Sequence, residues 1–127
     1  MAKEFQVTFD CADPGAQAVF WAHALGYTVP PAPQDPNTWA AITDPEGKGP
    51  RIYFQTVPEG KTVKNRLHLD VRSAPGLTGD ERMADLEVEA ARLEALGAKR
   101  LYRLESDDEN EGIIVMGDPE GNEFCLD

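Results

Sequence analysis

The tetrapeptide Asp44-Pro45-Glu46-Gly47 returns 74 positions later as Asp118-Pro119-Glu120-Gly121. No other feature narrows more sharply what the chain can fold into. One four-residue match is weak, but a second marker keeps step with it. An apolar helical pattern stops at Leu25-Gly26 and again, 71 positions on, at Leu96-Gly97. Two markers in one order and at nearly one spacing describe a duplicated unit, and a repeat has to be settled before single elements are assigned.

Each copy reads strand, helix, strand, strand, strand. The first opens with Phe5, Val7 and Phe9 alternating with Gln6, Thr8 and Asp10, the period of a strand with one buried face. Asp13 before Pro14 is an N-cap followed by proline at the first helical position, and Ala16, Val19, Phe20, His23 and Ala24 recur at helical spacing until Gly26. Strands are then expected at Tyr27 to Val29, Trp39 to Thr43 and Arg51 to Val57. The second copy opens at Leu67, Leu69 and Val71 alternating with His68, Asp70 and Arg72. A helix capped within Thr78 to Asp80 follows, carrying Met83, Leu86, Ala90, Leu93 and Leu96 on one side and Glu81, Glu87, Arg92 and Glu94 on the other. Lys99 to Leu104, Gly112 to Met116 and Glu123 to Leu126 complete it. The expected organisation is one α+β domain, with module one at 1–57, a polar linker at 58–65 and module two at 66–127. Pro30, Pro31, Pro33 and Pro36 stiffen one loop, and Ser106 to Glu111 make an acidic loop at the equivalent place.

The 127 residues, 41% of them hydrophobic, suffice for a core without staples. Twelve Lys and Arg against 23 Asp and Glu give a net charge of −11, which repels nucleic acid and anionic lipid surfaces alike. The opening residues lack a basic segment with an apolar run, and no apolar stretch spans a bilayer, so a soluble cytoplasmic protein is expected. Cys11 and Cys125 sit in no CxxC pair, which reads as free thiols rather than a disulfide framework.

Asp13-Pro14 with Phe20-Trp21, Lys64-Asn65-Arg66-Leu67-His68-Leu69-Asp70, Leu93-Glu94-Ala95-Leu96-Gly97-Ala98 and Asp118-Pro119-Glu120-Gly121-Asn122-Glu123-Phe124-Cys125 together resemble the glyoxalase-like branch of the vicinal oxygen chelate superfamily. The resemblance implies two βαβββ modules forming a curved mixed sheet around a cleft. It also implies four inward positions that often hold a divalent metal. Carried over by position, these are Gln6, Gln55, His68 and Cys125. Strand parity agrees, because the apolar neighbours of all four point the opposite way. Parity adds Thr8, Asp10, Arg51, Tyr53, Asp70, Arg72 and Glu123 to the same face.

The superfamily's metal enzymes usually draw on histidines and glutamates, since a carboxylate both binds the ion and serves as base. None of the four positions here is a carboxylate, and Glu123 is the nearby candidate for an acid or base. The site is therefore expected to bind a small polar molecule without a tightly held catalytic metal. The alternative is a metal-dependent lyase or isomerase, using nickel, zinc, manganese or iron, that acts on a small carbonyl or thiol-adduct substrate. As bland readings, His68 is an imidazole held by Asp70, Cys125 a small buried hydrophobe, His23 a half-buried helix residue, and Trp21 and Trp39 core packing. Lys61, Lys64 and Arg66 form a basic patch that either draws an anion or pairs with neighbouring acids. Resistance-type relatives imply a homodimer, as do the many strand edges.

Overall fold

The computed structural model describes residues 1–30 and 34–127, and the expected prolines Pro31 and Pro33 lie outside the described residues. Two compact units divide the chain, Met1–Gly60 and Lys61–Asp127.

In the first unit, β1 (Val7–Cys11) leads into α1 (Pro14–Leu25), followed by β2 (Trp39–Ile42) and β3 (Ile52–Thr56). The start of α1 follows from its sequence: the Asp13 carboxylate accepts the Ala16 N–H at 3.1 Å, and Pro14 occupies the first turn. Its end is Gly26 at φ 69°, whose N–H reaches the Ala22 carbonyl. The sheet order is β1-β3-β2, with β1 parallel and β2 antiparallel to β3. The Phe9 ring centre lies 5.2 Å from those of both Trp21 and Phe54 in the core under α1.

Several expectations for this unit need correction. Phe5, expected on the buried face of the first strand, precedes β1 and is 71% exposed. The strand at Tyr27 to Val29 reduces to a single bridge, Thr28 to Thr43. Pro30 follows at once and has no N–H to extend a ladder. The helix also turns a different side to the sheet. Pro14, Gln17, Ala18, Phe20, Trp21 and Ala24 are buried, whereas Ala16 and His23 are exposed and Val19 is 54% exposed. The large Trp21 ring fills the space between α1 and Phe9, and seating it rotates Val19 and His23 outward.

In the second unit, β4 (Asp70–Val71), α2 (Gly79–Glu94), β5 (Lys99–Leu104), β6 (Ile113–Gly117) and β7 (Glu123–Leu126) form a sheet ordered β4-β7-β6-β5 beneath α2. Met83, Leu86, Ala90 and Leu93 are buried on α2 as its stripe requires, against Ile114, Met116, Phe124 and Leu126. Leu96 lies beyond the helix end and is 39% exposed. Thr78 stands at the N-cap without a side-chain bond to the helix. Gly112 has a steric duty, since a Cβ there would fall 2.3 Å from the Met83 sulfur. Both sheets are open, each covered by a helix on one face.

The repeated tetrapeptide builds the same turn twice. Asp44 accepts the Glu46 N–H at 2.8 Å and Asp118 the Glu120 N–H at 2.9 Å, and Gly47 and Gly121 take positive φ of 72° and 88°. The first turn joins β2 to β3 and the second joins β6 to β7, so the duplication is structural. Among the described residues no helix is long and apolar enough to cross a membrane.

Candidate functional site

Pairing registers decide which side chains share a face. In the first unit, Ala40 opposes Phe54, and Ile42 opposes Ile52, on the α1 side. Thr8 opposite Tyr53, Asp10 opposite Gln55 and Trp39 opposite Gln55 therefore lie on the other side. Arg51 Nη1 donates to Gln6 Oε1 at 2.9 Å, Gln6 Nε2 to Thr8 Oγ1 at 3.4 Å, and Gln55 Nε2 to Asp10 Oδ1 at 2.8 Å. Gln6 and Gln55 thus share an open face but are engaged by different partners. The Trp39 ring stacks on Tyr53, centres 5.8 Å apart and planes within 17°. Trp39, expected in the core, is half-buried on this open face instead. The run Trp39-Ala40-Ala41-Ile42 has no polar residue to mark which way it alternates.

In the second unit, Asp70 opposes Cys125, Cys125 opposes Val115 and Val115 opposes Tyr102, a continuous row across β4, β7, β6 and β5 on the face away from α2. His68 Nε2 lies 3.2 Å from Asp70 Oδ1. One donor atom from each of His68, Asp70 and Cys125 falls within 4.8 Å of the others. His68 and Cys125 are expected here as metal positions and Asp70 as a ligand-binding residue of the same face, and Asp70 brings the carboxylate that the four carried-over positions lack. Burial pushes the Cys125 thiol up to about 11, with the Asp70 charge and hydrogen bond adding to it. It is consequently a protonated thiol near neutrality and no nucleophile.

Glu123 sits at the edge of this face, tied down on both oxygens. Lys61 Nζ lies 3.3 Å away, and the Asn65 N–H donates at 3.3 Å. Burial works to raise its carboxyl, but its own backbone N–H, the Asn65 N–H and Lys61 outweigh burial and hold it below the usual range. Asn65 Oδ1 also accepts the Glu123 N–H at 2.7 Å, so Lys61 and Asn65 fasten the second unit's opening segment to β7.

Sequence reasoning missed Tyr102, Val115 and Leu104 as members of the open face. A register shift between Arg100 and Tyr102 sends Arg100 to the α2 side and Tyr102 to the open side. Simple alternation puts both on one face, and no single-residue signal announces a bulge.

A metal fits this donor set in part. Imidazole, carboxylate and thiol suit a borderline ion such as zinc, whereas manganese prefers oxygen ligands. His68, Asp70 and Cys125 would hold such an ion, which would supply Lewis-acid polarisation of a bound oxygen. The Cys125 proton would have to leave first.

The chain matches the Glyoxalase-like domain family over residues 6–126, and it belongs to that family. Solved structures agree on the fold. A glyoxalase/bleomycin resistance protein/dioxygenase family enzyme from Burkholderia phytofirmans is 17% identical, with 95% of this chain and 94% of that one covered at a TM-score of 0.69. The fosfomycin resistance protein FosX from Mesorhizobium loti is 14% identical, with 99% and 90% covered at 0.66. FosX from Listeria monocytogenes, solved with Mn(II) and 1S,2S-dihydroxypropylphosphonic acid, is 12% identical, with 99% and 90% covered at 0.69. Among curated proteins none matches in sequence.

Proposed function

We propose that the protein binds a small polar molecule on the sheet faces turned away from its helices, as a binder without a resident catalytic metal. The observation that carries this is the make-up of those faces. Where a solvated sheet face needs only scattered polar groups, the first unit's face carries two amide side chains fixed by Arg51 and Asp10 beside a stacked Trp39–Tyr53 pair. The second unit's face sets His68 and Asp70 beside the apolar row of Cys125, Val115 and Tyr102. Oriented polar groups flanked by aromatic surface are the usual lining of small-molecule sites. Glu123 is tied down and the Cys125 thiol is held protonated, so neither supplies this face with a ready base or nucleophile.

A second reading is favoured by Asp70: with a carboxylate in the cluster, a metal-dependent lyase or isomerase acting on a small carbonyl or thiol-adduct substrate becomes chemically possible. A thermal-shift screen of metabolites and antibiotics, with and without nickel, zinc, manganese or iron, separates the two. The binder reading expects a ligand that raises Tm equally with and without metal. A stoichiometric ion lost in His68→Ala, with ligand shifts only in the loaded protein, overturns it in favour of the enzyme. The proposal includes a homodimer in the cytoplasm, supported by the open sheet edges and by two buried cysteines that are not joined in a disulfide. Sedimentation at twice 13.9 kDa checks the dimer, and a single 13.9 kDa species refutes it.

A further inference from the structure

Arg72, Arg92, Arg100 and Arg103 are each ion-paired with a carboxylate. Arg51 is held differently. Its partners are the neutral Gln6 side chain at 2.9 Å and the Tyr53 ring, whose centre lies 5.3 Å from the guanidinium carbon. Among the described residues no carboxylate pairs with it. These contacts orient the guanidinium without cancelling its charge, and the Gln6 bond uses one of its five N–H donors. Arg66 and Arg82 also lack a carboxylate partner among the described residues, and Arg82 donates to the Gly112 carbonyl instead, but only Arg51 combines a side-chain amide partner with an aromatic ring.

Arg51 also borders an open groove of about 470 Å³ whose lining includes Lys3, Phe5, Lys48 and Pro50, with Glu4 as its acid. Asp44 accepts the Lys48 N–H at 3.0 Å and partly answers its ammonium charge, which leaves Lys3 and Arg51 as the stronger attraction. Phe5 is 71% exposed, an apolar ring presented to solvent beside these cations. Arg51 at the border of the groove, with its guanidinium held at Gln6 and Tyr53, together with a second cation and an exposed ring, makes a receptor for a molecule with a carboxylate at one end and an apolar body at the other.

We propose that this groove in the first unit is a binding site for a small organic carboxylate, with Arg51 taking the carboxylate and Phe5 and Pro50 covering its hydrocarbon part. The proposal rests on the reading that the open face of the first sheet receives ligand, and it specifies the ligand's charge.

The test is an NMR titration of the full chain at low salt with benzoate, its neutral counterpart benzamide, and acetate. Benzoate is expected to shift the backbone amides of Phe5, Gln6 and Arg51, with a Kd of about a millimolar for so small a probe. Benzamide and acetate should each bind at least several-fold more weakly. Arg51→Gln should weaken benzoate about tenfold or more, and Arg51→Lys, which keeps the charge but loses the fork, should fall between. Equal binding of benzamide, unchanged binding to Arg51→Gln, or shifts confined to other residues overturns the proposal. Should Arg51→Gln fail to fold, the comparison of benzoate with benzamide on the unaltered chain decides alone. Ligands that emerge from the thermal-shift screen while benzoate leaves these amides unmoved would sink the carboxylate site and leave the broader reading standing.

Discussion

The two turn aspartates have the same role at different depths. Asp118 is 2% exposed and takes the N–H groups of Glu120 and Asn122 at 2.9 and 3.0 Å, with the Asn122 amide on its second oxygen. Asp44 makes the equivalent bonds to Glu46, Lys48 and Gly49 in a more open setting. Replacing Asp118 with alanine strands buried donors and is expected to cost about 2 to 3 kcal/mol, read by urea denaturation. Asp44→Ala should cost measurably less, because water reaches the freed N–H groups. Cys125 sets a second expectation. Its thiol is raised from about 9 to about 11, so the folded state favours the protonated form. That stability is fully present below pH 9 and is lost as pH climbs through 11. Denaturation midpoints at pH 8 and 10.5 should therefore fall further for the parent chain than for Cys125→Ala.

At the level of elements, β5 is held to α2 by charge. Its residues are all exposed, and Arg100 and Arg103 both reach Glu87, at 2.5 and 2.8 Å. Hydrogen bonds from Arg100 and then Arg103 lower Glu87 to about 2. A depressed carboxyl stabilises above its unfolded value near 4.5 and loses that contribution as pH falls through 2. Because these side chains are about a third exposed, Glu87→Gln is expected to cost only about 0.5 to 1 kcal/mol at pH 7. The parent and variant curves should converge toward pH 2, which a pH series of thermal melts would show. Trp21 supports the first unit differently, through apolar burial at 1% exposure, and Trp21→Ala should cost about 3 to 5 kcal/mol.

For the molecule as a whole, the net charge of −11 means that folding gathers like charges. Added neutral salt screens that repulsion. Tm is expected to rise by a few degrees between 10 and 200 mM sodium chloride, measured by calorimetry, and a flat or falling trend would show that the paired arginines outweigh the general repulsion.

The duplication, both helices and both aspartate turns were legible in the sequence because each rests on local chemistry: a cap, a period, or a carboxylate reaching N–H groups two residues on. Parity likewise puts Thr8 and Gln55 on one face, since Val7 and Phe9 flank Thr8, and Phe54 precedes Gln55, on the opposite one. Only the tertiary structure decided the rest. The rotation of α1 that buries Trp21 and exposes Val19 and His23 depends on how one large ring fits against Phe9. The bulge at Leu101 that turns Tyr102 onto the open face depends on the pairing of β5 with β6. Parity puts Asp70 and Cys125 on one face, but that they stand directly opposite each other is a register set across 55 residues. Local sequence encodes torsions and periods, whereas packing and register are set by partners distant along the chain.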